Sequence, residues 1–177
     1  SFSLDGQIIA SASDDKTVKV WRTDGTLLHT FEGHKDRVYG VSFSPDAQTI
    51  ASASSDFTIK LWKLGSTFLQ TFKGHTERVS DVKFSPSGQV ISSVSDDKTI
   101  RTWKIDGTPI IIFKKQPDRI YGVNFSSDGQ LIASSGFDKF LRLWTVDGKL
   151  VKIFEGHTDR VYGVSFSPNC QFIASGS

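Results

Sequence analysis

The chain has 177 residues, of which 37% are hydrophobic and 12% aromatic, a composition typical of a folded globular protein and not of a disordered one. Its 21 basic and 19 acidic residues leave a formal charge of +2 without any block of like charge, which argues against a nucleic-acid or membrane partner. The single cysteine, Cys170, excludes an internal disulfide, and no apolar run reaches the roughly twenty residues of a membrane span or resembles a secretory signal, so we expect a cytoplasmic protein.

One unit is repeated along the chain. The tryptophans recur at intervals of 41 residues, at Trp21, Trp62, Trp103 and Trp144. The same spacing relates two further series, which are Asp15, Asp56, Asp97 and Asp138, and Phe2, Phe43, Phe84, Phe125 and Phe166. We therefore divide this single domain into units at 1–41, 42–82, 83–123 and 124–164, with a partial unit at 165–177.

Short apolar runs of strand length follow one another within each unit. In chain order they are RVYGVSFS (37–44), TIASAS (49–54), TIKLW (58–62) and FLQTF (68–72), with turn-forming Ser, Pro, Asp and Gly residues between them. No stretch of about ten residues has a helical pattern. Each unit is thus predicted to form a four-stranded antiparallel sheet, one blade of an all-β propeller in which neighbouring blades bury both faces of a sheet.

The pattern between Gly33 and Trp62 resembles the WD40 repeat. It reads Gly-His, then Val-x-x-Val-x-Phe-Ser-Pro-Asp, then Ile-Ala-Ser-x-Ser-x-Asp, then Ile-x-Leu-Trp, and echoes of it cover the whole chain. The chain is most similar to the regular WD40 arrays of bacteria, especially cyanobacteria, which commonly follow signalling or NTPase domains. The resemblance implies a WD40 β-propeller segment with about four repeats, as part of a larger propeller of about seven or eight blades.

The end of the chain repeats its beginning. The last segment, SFSPNCQFIASGS, corresponds to the opening SFSLDGQIIASAS, so both ends fall at the same point of the unit. Since propellers have typically about 4–8 blades, we expect a fragment of a longer array. The alternative is that two copies pair and that the C-terminal strands of one complete the first blade of the other, in a ring of about eight blades.

Ser, His and Asp, the residue classes of a hydrolase triad, recur together. Their recurrence in successive units argues against catalysis, because an active site needs one constellation in one pocket. The WD40 resemblance implies a buried, hydrogen-bonded tetrad in each blade instead. The tetrads are His34, Ser52, Asp56 and Trp62, then His75, Ser93, Asp97 and Trp103, and then Ser134, Asp138 and Trp144 with Gln116 in the place of histidine. Glutamine can donate and accept, so we expect the third network to survive in a weaker form.

The WD40 resemblance also implies a partner-binding surface, the top face, formed by loops at the narrow mouth of the propeller. Three positions per unit belong to it: the third and fifth residues after the loop histidine, and the residue before the turn aspartate. They are Arg37, Tyr39 and Ser55; Arg78, Ser80 and Asp96; Arg119, Tyr121 and Phe137; Arg160 and Tyr162; and Asp14 from the first unit. Arginine and tyrosine are enriched at interface hot spots, although recent duplication of one unit also explains their recurrence.

Each of these arginines follows an acidic residue in the sequence. The acids are Asp36, Glu77, Asp118 and Asp159. We therefore expect the local charge to be largely cancelled, which disfavours a phosphate-binding ring of arginines.

The sequence predicts no catalytic residue and no cofactor. With at most one periodic histidine per unit and one cysteine in all, no zinc-binding spacing exists. The favoured function is a non-enzymatic protein–protein interaction scaffold or sensor whose partner is a protein or peptide, with further WD40 repeats or a second copy as possible ring-closing partners. The alternative is small-molecule binding or hydrolysis in the central channel. A residue that breaks the repeat symmetry would favour that alternative, and Gln116 is the nearest example.

Overall fold

Antiparallel sheets make up the described part of the chain. The computed structural model describes residues 1–66 and 70–177, and this part contains seventeen strands and no helix. Within these residues, no helix is long and apolar enough to cross a membrane. The predicted run at 68–72 falls partly outside the described residues, and its remaining residues form the strand Gln70–Phe72.

The strands group into five sheets in chain order. The first sheet has β1 (Ile8–Ala12), β2 (Val18–Arg22) and β3 (Leu27–Phe31). The second has β4 (Val38–Phe43), β5 (Thr49–Ser54), β6 (Ile59–Lys63) and β7 (Gln70–Phe72). The third has β8 (Val79–Phe84), β9 (Val90–Ser95), β10 (Ile100–Lys104) and β11 (Pro109–Ile112). The fourth has β12 (Ile120–Phe125), β13 (Leu131–Gly136), β14 (Leu141–Thr145) and β15 (Leu150–Phe154), and the fifth has β16 (Gly163–Phe166) and β17 (Ile173–Gly176).

Within each sheet, every strand pairs antiparallel with the next strand in sequence, so every sheet is a meander. The all-β prediction of four-stranded antiparallel sheets is therefore confirmed. The 41-residue units defined from the sequence do not begin where the sheets begin. The boundary after Val41 lies within β4, the first strand of the second sheet.

The turn between the first and second strands of a sheet needs a residue with positive φ, in the left-handed region. Gly88 adopts φ +71° there, while Ala47 and Cys170 adopt φ values of +56° and +57° at the equivalent positions. Glycine takes this conformation without the steric cost that a Cβ brings, so the two other residues are held by the surrounding turn.

The hydrophobic core lies between neighbouring sheets. One cluster joins the first and second sheets, another the second and third, and another the third and fourth. Trp62, Trp103 and Trp144 lie in these layers and are only 1%, 1% and 2% exposed. Trp62 stacks on Phe31 of the preceding sheet, with ring centroids 5.3 Å apart. Aromatic pairs of this kind contribute about 0.5–1.5 kcal/mol beyond the burial of their surface, so the periodic tryptophans hold one sheet on the next.

The first strands of successive sheets lie side by side. β4 packs beside β8, β8 beside β12, and β12 beside β16. Two side chains cross-link them, because Ser42 accepts a hydrogen bond from the Phe84 amide (3.2 Å) and Asp81 accepts one from the Val123 amide (3.3 Å). Equivalent residues of successive repeats are thereby brought next to one another at the inner edges of the sheets.

Candidate functional site

The first tetrad is a continuous chain of hydrogen bonds within the second sheet. The Trp62 indole N–H on β6 donates to Ser52 Oγ on β5 at 2.8 Å. His34 Nε2 lies 2.7 Å from Ser52 Oγ, and His34 Nδ1 lies 2.8 Å from Asp56 Oδ2. A carboxylate can only accept, so the proton belongs on Nδ1 and the Ser52 hydroxyl donates to Nε2.

Asp56 is the acceptor on which this chain of hydrogen bonds ends. Its carboxylate also accepts from the Thr58 hydroxyl (2.6 Å) and from the Lys35 amide (2.8 Å). Burial alone would raise the pKa of Asp56, but the hydrogen bonds from His34, Thr58 and Lys35 outweigh it and hold the pKa well below its usual range. Asp56 is therefore ionised at neutral pH and fixes the histidine tautomer.

The second tetrad repeats this geometry in the third sheet. Trp103 donates to Ser93 at 2.9 Å, and His75 lies 2.8 Å from both Ser93 Oγ and Asp97 Oδ2. Burial lowers the pKa of His75, although Asp97 opposes this effect, so the imidazole is neutral at neutral pH.

The order of these hydrogen bonds is that of a Ser-His-Asp triad, but the serine is inaccessible. Ser52 and Ser93 are both 0% exposed, and each hydroxyl oxygen already accepts an indole N–H. A nucleophile must reach a substrate carbonyl, whereas these oxygens lie in the layer between sheets. The arrangement suits a polar network that fixes the packing of the blade.

The third tetrad differs from the sequence-based expectation for Gln116. Trp144 still donates to Ser134, at 3.0 Å. The Gln116 amide instead donates to the Lys114 carbonyl, and among the described residues no hydrogen bond joins it to Ser134 or Asp138. Because the Gln116 amide is turned toward its own backbone, the network is interrupted here.

Arg142 takes the place of histidine beside the third aspartate. Its Nη2 lies 2.6 Å from Asp138 Oδ2 as an ion pair that is not aligned as a hydrogen bond, and both side chains are largely buried. The equivalent residue Arg101 lies 4.0 Å from Asp97, which already has a histidine partner. Sequence reasoning missed this role, although a basic residue stands four positions after the turn aspartate in every unit, at Lys19, Lys60, Arg101 and Arg142.

The predicted top-face residues converge on one open cleft. It encloses about 560 Å³ between the inner strands of successive sheets. Its lining consists of Tyr39, Arg78, Ser80, Asp81, Arg119, Tyr121, Arg160 and Tyr162. Seven of these eight residues were predicted from the WD40 resemblance, and Asp81 was not. Arg37, Ser55, Asp96 and Phe137 contact this set without lining the cleft, and Asp14 faces Arg37.

Aromatic and guanidinium groups stack along the cleft. The Tyr121 and Tyr162 rings are parallel, with centroids 5.3 Å apart, and the Arg78 guanidinium lies 4.8 Å from the Tyr39 ring centre and 5.9 Å from that of Tyr121. Arg160 lies 4.3 Å from the Phe137 ring centre. These contacts hold long side chains in fixed positions before any partner binds.

Polar contacts tie the other predicted residues to the cleft. Asp96 is 3.2 Å from Arg78 Nη2 and accepts a weaker hydrogen bond from Ser80 (3.4 Å). Burial alone would raise the pKa of Tyr39, but hydrogen bonding with Ser55, Arg78 and Arg37 lowers it. Arg37 also faces Asp14 across 3.8 Å.

The acids that precede Arg37, Arg119 and Arg160 are hydrogen-bonded to the backbone. The Asp36, Asp118 and Asp159 carboxylates each accept a hydrogen bond from the backbone N–H of the following arginine, at 2.8, 2.8 and 2.7 Å. This local hydrogen bond turns the carboxylate toward the backbone. Among the described residues, no ion pair joins the Arg119 or Arg160 guanidinium to a carboxylate, and the expected cancellation of charge by the neighbouring acids stays a prediction.

Asp81 and Lys83 break the repeat symmetry beside the cleft. Equivalent positions hold Gly40, Gly122 and Gly163 for Asp81, and Ser42, Asn124 and Ser165 for Lys83. Lys83 Nζ lies 2.9 Å from Asp81 Oδ1, which also accepts from the Val82 amide at 2.9 Å. Comparing all units position by position would have found this pair.

No group of three or more His, Cys, Asp or Glu side chains in the described residues is arranged to hold a metal ion.

The first and last sheets carry parts of the tetrad. Trp21 donates to Ser11 at 2.9 Å in the first, and His157 lies 2.7 Å from Ser175 in the last.

Comparisons with known proteins agree with the repeat. The model of the WD domain, G-beta repeat, matches five segments, at residues 1–22, 25–63, 66–104, 107–145 and 148–177. A segment of 32 residues is 59% identical to the U4/U6 small nuclear ribonucleoprotein PRP4-like protein of Arabidopsis thaliana. This segment makes up 18% of the chain and only 6% of the plant protein, so the chain matches a small part of that relative.

Proposed function

The chain belongs to the WD40 repeat family, and from this premise we propose that it is a non-enzymatic scaffold or sensor module that binds a protein or peptide through the top-face cleft. WD40 repeat proteins are generally interaction modules, and the name of the plant relative is that of a ribonucleoprotein component, in keeping with a role in protein complexes.

One observation carries the proposal: arginines and tyrosines from successive sheets line one open cleft and are ordered by contacts with each other. Ordered aromatic and guanidinium groups lose little conformational entropy on binding and supply most of the energy at protein interfaces. The cleft is also rigidly supported, since its residues lie on or next to the paired inner strands.

The test compares partners captured by matched variants. Tyr39→Ala combined with Tyr121→Ala removes two ring surfaces of the cleft, and Ile112→Ala combined with Ile153→Ala removes exposed apolar side chains from the fourth strands. We expect proteins captured by the unaltered chain to be lost with the tyrosine variant and retained with the isoleucine variant, as measured by quantitative mass spectrometry. Equal capture by both variants would place the binding surface elsewhere.

The hydrolytic alternative has the hydrogen-bond order of the tetrads in its favour. The burial of Ser52 and Ser93 opposes it, because no substrate can approach either oxygen. We expect no turnover of ester or peptide substrates. Turnover that is abolished by Ser93→Ala and retained in Ser87→Ala, an exposed serine, would revive this alternative.

A further inference from the structure

The top-face cleft contains two arginines without an acidic partner. Arg119 and Arg160 are exposed, and neither guanidinium lies within 4.0 Å of a carboxylate among the described residues. Their sequence neighbours Asp118 and Asp159 are held by backbone amides, and Asp118 additionally faces Lys98 across 3.9 Å. Both guanidiniums therefore keep their charge and their donors available to a ligand.

The carboxylates that do face the cleft are compensated elsewhere. Asp96 pairs with Arg78, and Asp81 pairs with Lys83 and accepts two backbone N–H groups. Of the charged side chains that line the cleft, three are arginines and one, Asp81, is acidic, so the lining carries a net positive charge. Its field thus attracts an anionic group, and a guanidinium binds a carboxylate through two parallel hydrogen bonds.

The aromatic rings of the cleft favour a peptide over a nucleic acid. Tyr121 and Tyr162 stack on each other, and Arg78 covers Tyr39, so one face of each ring is already occupied and is closed to a base. The even overall balance of 21 basic and 19 acidic residues also lacks the extended positive field that a phosphate backbone requires.

We propose that Arg119 and Arg160 bind the carboxylates of an extended acidic segment of a partner protein. This inference rests on the proposed function and specifies the chemistry of its partner. Tyr121 and Tyr162 stand beside the two arginines and contact the backbone and methylene groups between the acidic residues.

Fluorescence anisotropy with defined probes tests this inference. The probe is a fluorescein-labelled octapeptide of alternating glycine and glutamate, compared with octapeptides in which glutamine or lysine replaces glutamate and with octauridylate. We expect the glutamate peptide alone to bind, with an affinity that falls as sodium chloride rises. Arg119→Gln combined with Arg160→Gln should weaken binding by about tenfold or more.

A control variant removes the same charge from elsewhere. Arg22→Gln combined with Lys104→Gln alters two exposed residues at the ends of β2 and β10, and it should bind the glutamate peptide like the unaltered chain. Arg119→Glu combined with Arg160→Glu should bind the lysine peptide instead, which shows that the altered cleft is folded.

Three outcomes would overturn the inference: equal binding by the Arg119/Arg160 variant and the control variant, a preference of the unaltered chain for octauridylate, or no binding of the glutamate peptide. If that peptide does not bind while Tyr39→Ala combined with Tyr121→Ala still abolishes partner capture, the acidic partner is wrong and the proposed function stands.

Discussion

Ser52 and Ser93 show how one set of residue types serves structure instead of catalysis. Each hydroxyl accepts an indole N–H and stands within hydrogen-bond distance of an imidazole, so its proton and one of its lone pairs are used inside the blade. An unpaired buried polar group costs about 1–3 kcal/mol, which makes each member of the network depend on the others. The tetrads therefore contribute to stability as units.

Asp56 should contribute more to the free energy of unfolding than Asp15, its counterpart in the first sheet. Asp56→Ala leaves the His34 Nδ1–H and the Lys35 amide without their acceptor, and we expect it to lower the free energy of unfolding by about 1–3 kcal/mol. Asp15→Ala is the matched control, because Asp15 is exposed and its carboxylate accepts from Thr17 and Ser13 instead of a buried histidine. Chemical denaturation measures both, and equal losses would contradict the structural role of the network.

His75 should make stability depend on pH. Its pKa is lowered by burial in the folded chain, whereas the unfolded chain titrates near 6.5, so below pH 6.5 the unfolded state binds a proton that the folded state does not. Stability is therefore lost as the pH falls from 6.5 toward about 5, above the range in which aspartates titrate. His75→Gln should flatten this dependence in thermal melts. An unchanged slope would mean that His75 is not the group responsible.

The repeat predicted which residues approach one another, but not every contact between them. The tetrad residues of the second and third sheets follow from the WD40 resemblance, which the period carries from one unit to the next. The ion pair between Arg142 and Asp138 could not be predicted in this way, because it arises only where Gln116 fails to reach Asp138. The orientation of Asp118 and Asp159 also depends on a local backbone hydrogen bond that residue types alone do not specify.

The first strands of neighbouring sheets approach each other so closely that some positions on them leave no room for a side chain. A Cβ on Gly122 of β12 would lie 2.8 Å from Ser135 Oγ and 3.0 Å from the Tyr162 carbonyl oxygen. Glycine at this position lets β12 pack against β16 and places Tyr121 next to Tyr162. The packing of these strands thus sets the spacing of the cleft.

Gly122→Ala tests this close approach. Because the neighbouring atoms include backbone, relaxation is limited, and we expect a loss of about 1–3 kcal/mol in the free energy of unfolding. Gly163→Ala is the matched control, since nothing lies within 4 Å of its added Cβ. Denaturant titration of both variants measures the difference, and a neutral Gly122→Ala would show that the strands can separate without cost.

Strand positions were more predictable than strand ends. The run TIASAS at 49–54 coincides with β5, while the run at 37–44 is trimmed to Val38–Phe43 because Arg37 and Ser44 enter the flanking turns. The alternation of apolar runs and turn residues sets the centre of a strand, and local turn hydrogen bonds such as Ser44 N to Thr49 O set its end.

In the molecule as a whole, stacking equivalent sheets turns spacing in sequence into proximity in space. Tyr121 and Tyr162 stand one repeat apart, yet their rings are in contact. Equivalent residues of successive repeats therefore form one continuous surface. Residues that depart from the repeat, such as Ser80 and Asp81, give the middle of this surface different side chains.

Site-specific photo-crosslinking tests the location of that site most directly. Benzoylphenylalanine replaces either Tyr162 in the cleft or Ile153 on β15, both of which are exposed, and each variant is irradiated with a partner identified by the capture experiment. We predict crosslinks to the partner from position 162 and none from position 153. Crosslinks from position 153 alone would contradict binding through the top-face cleft.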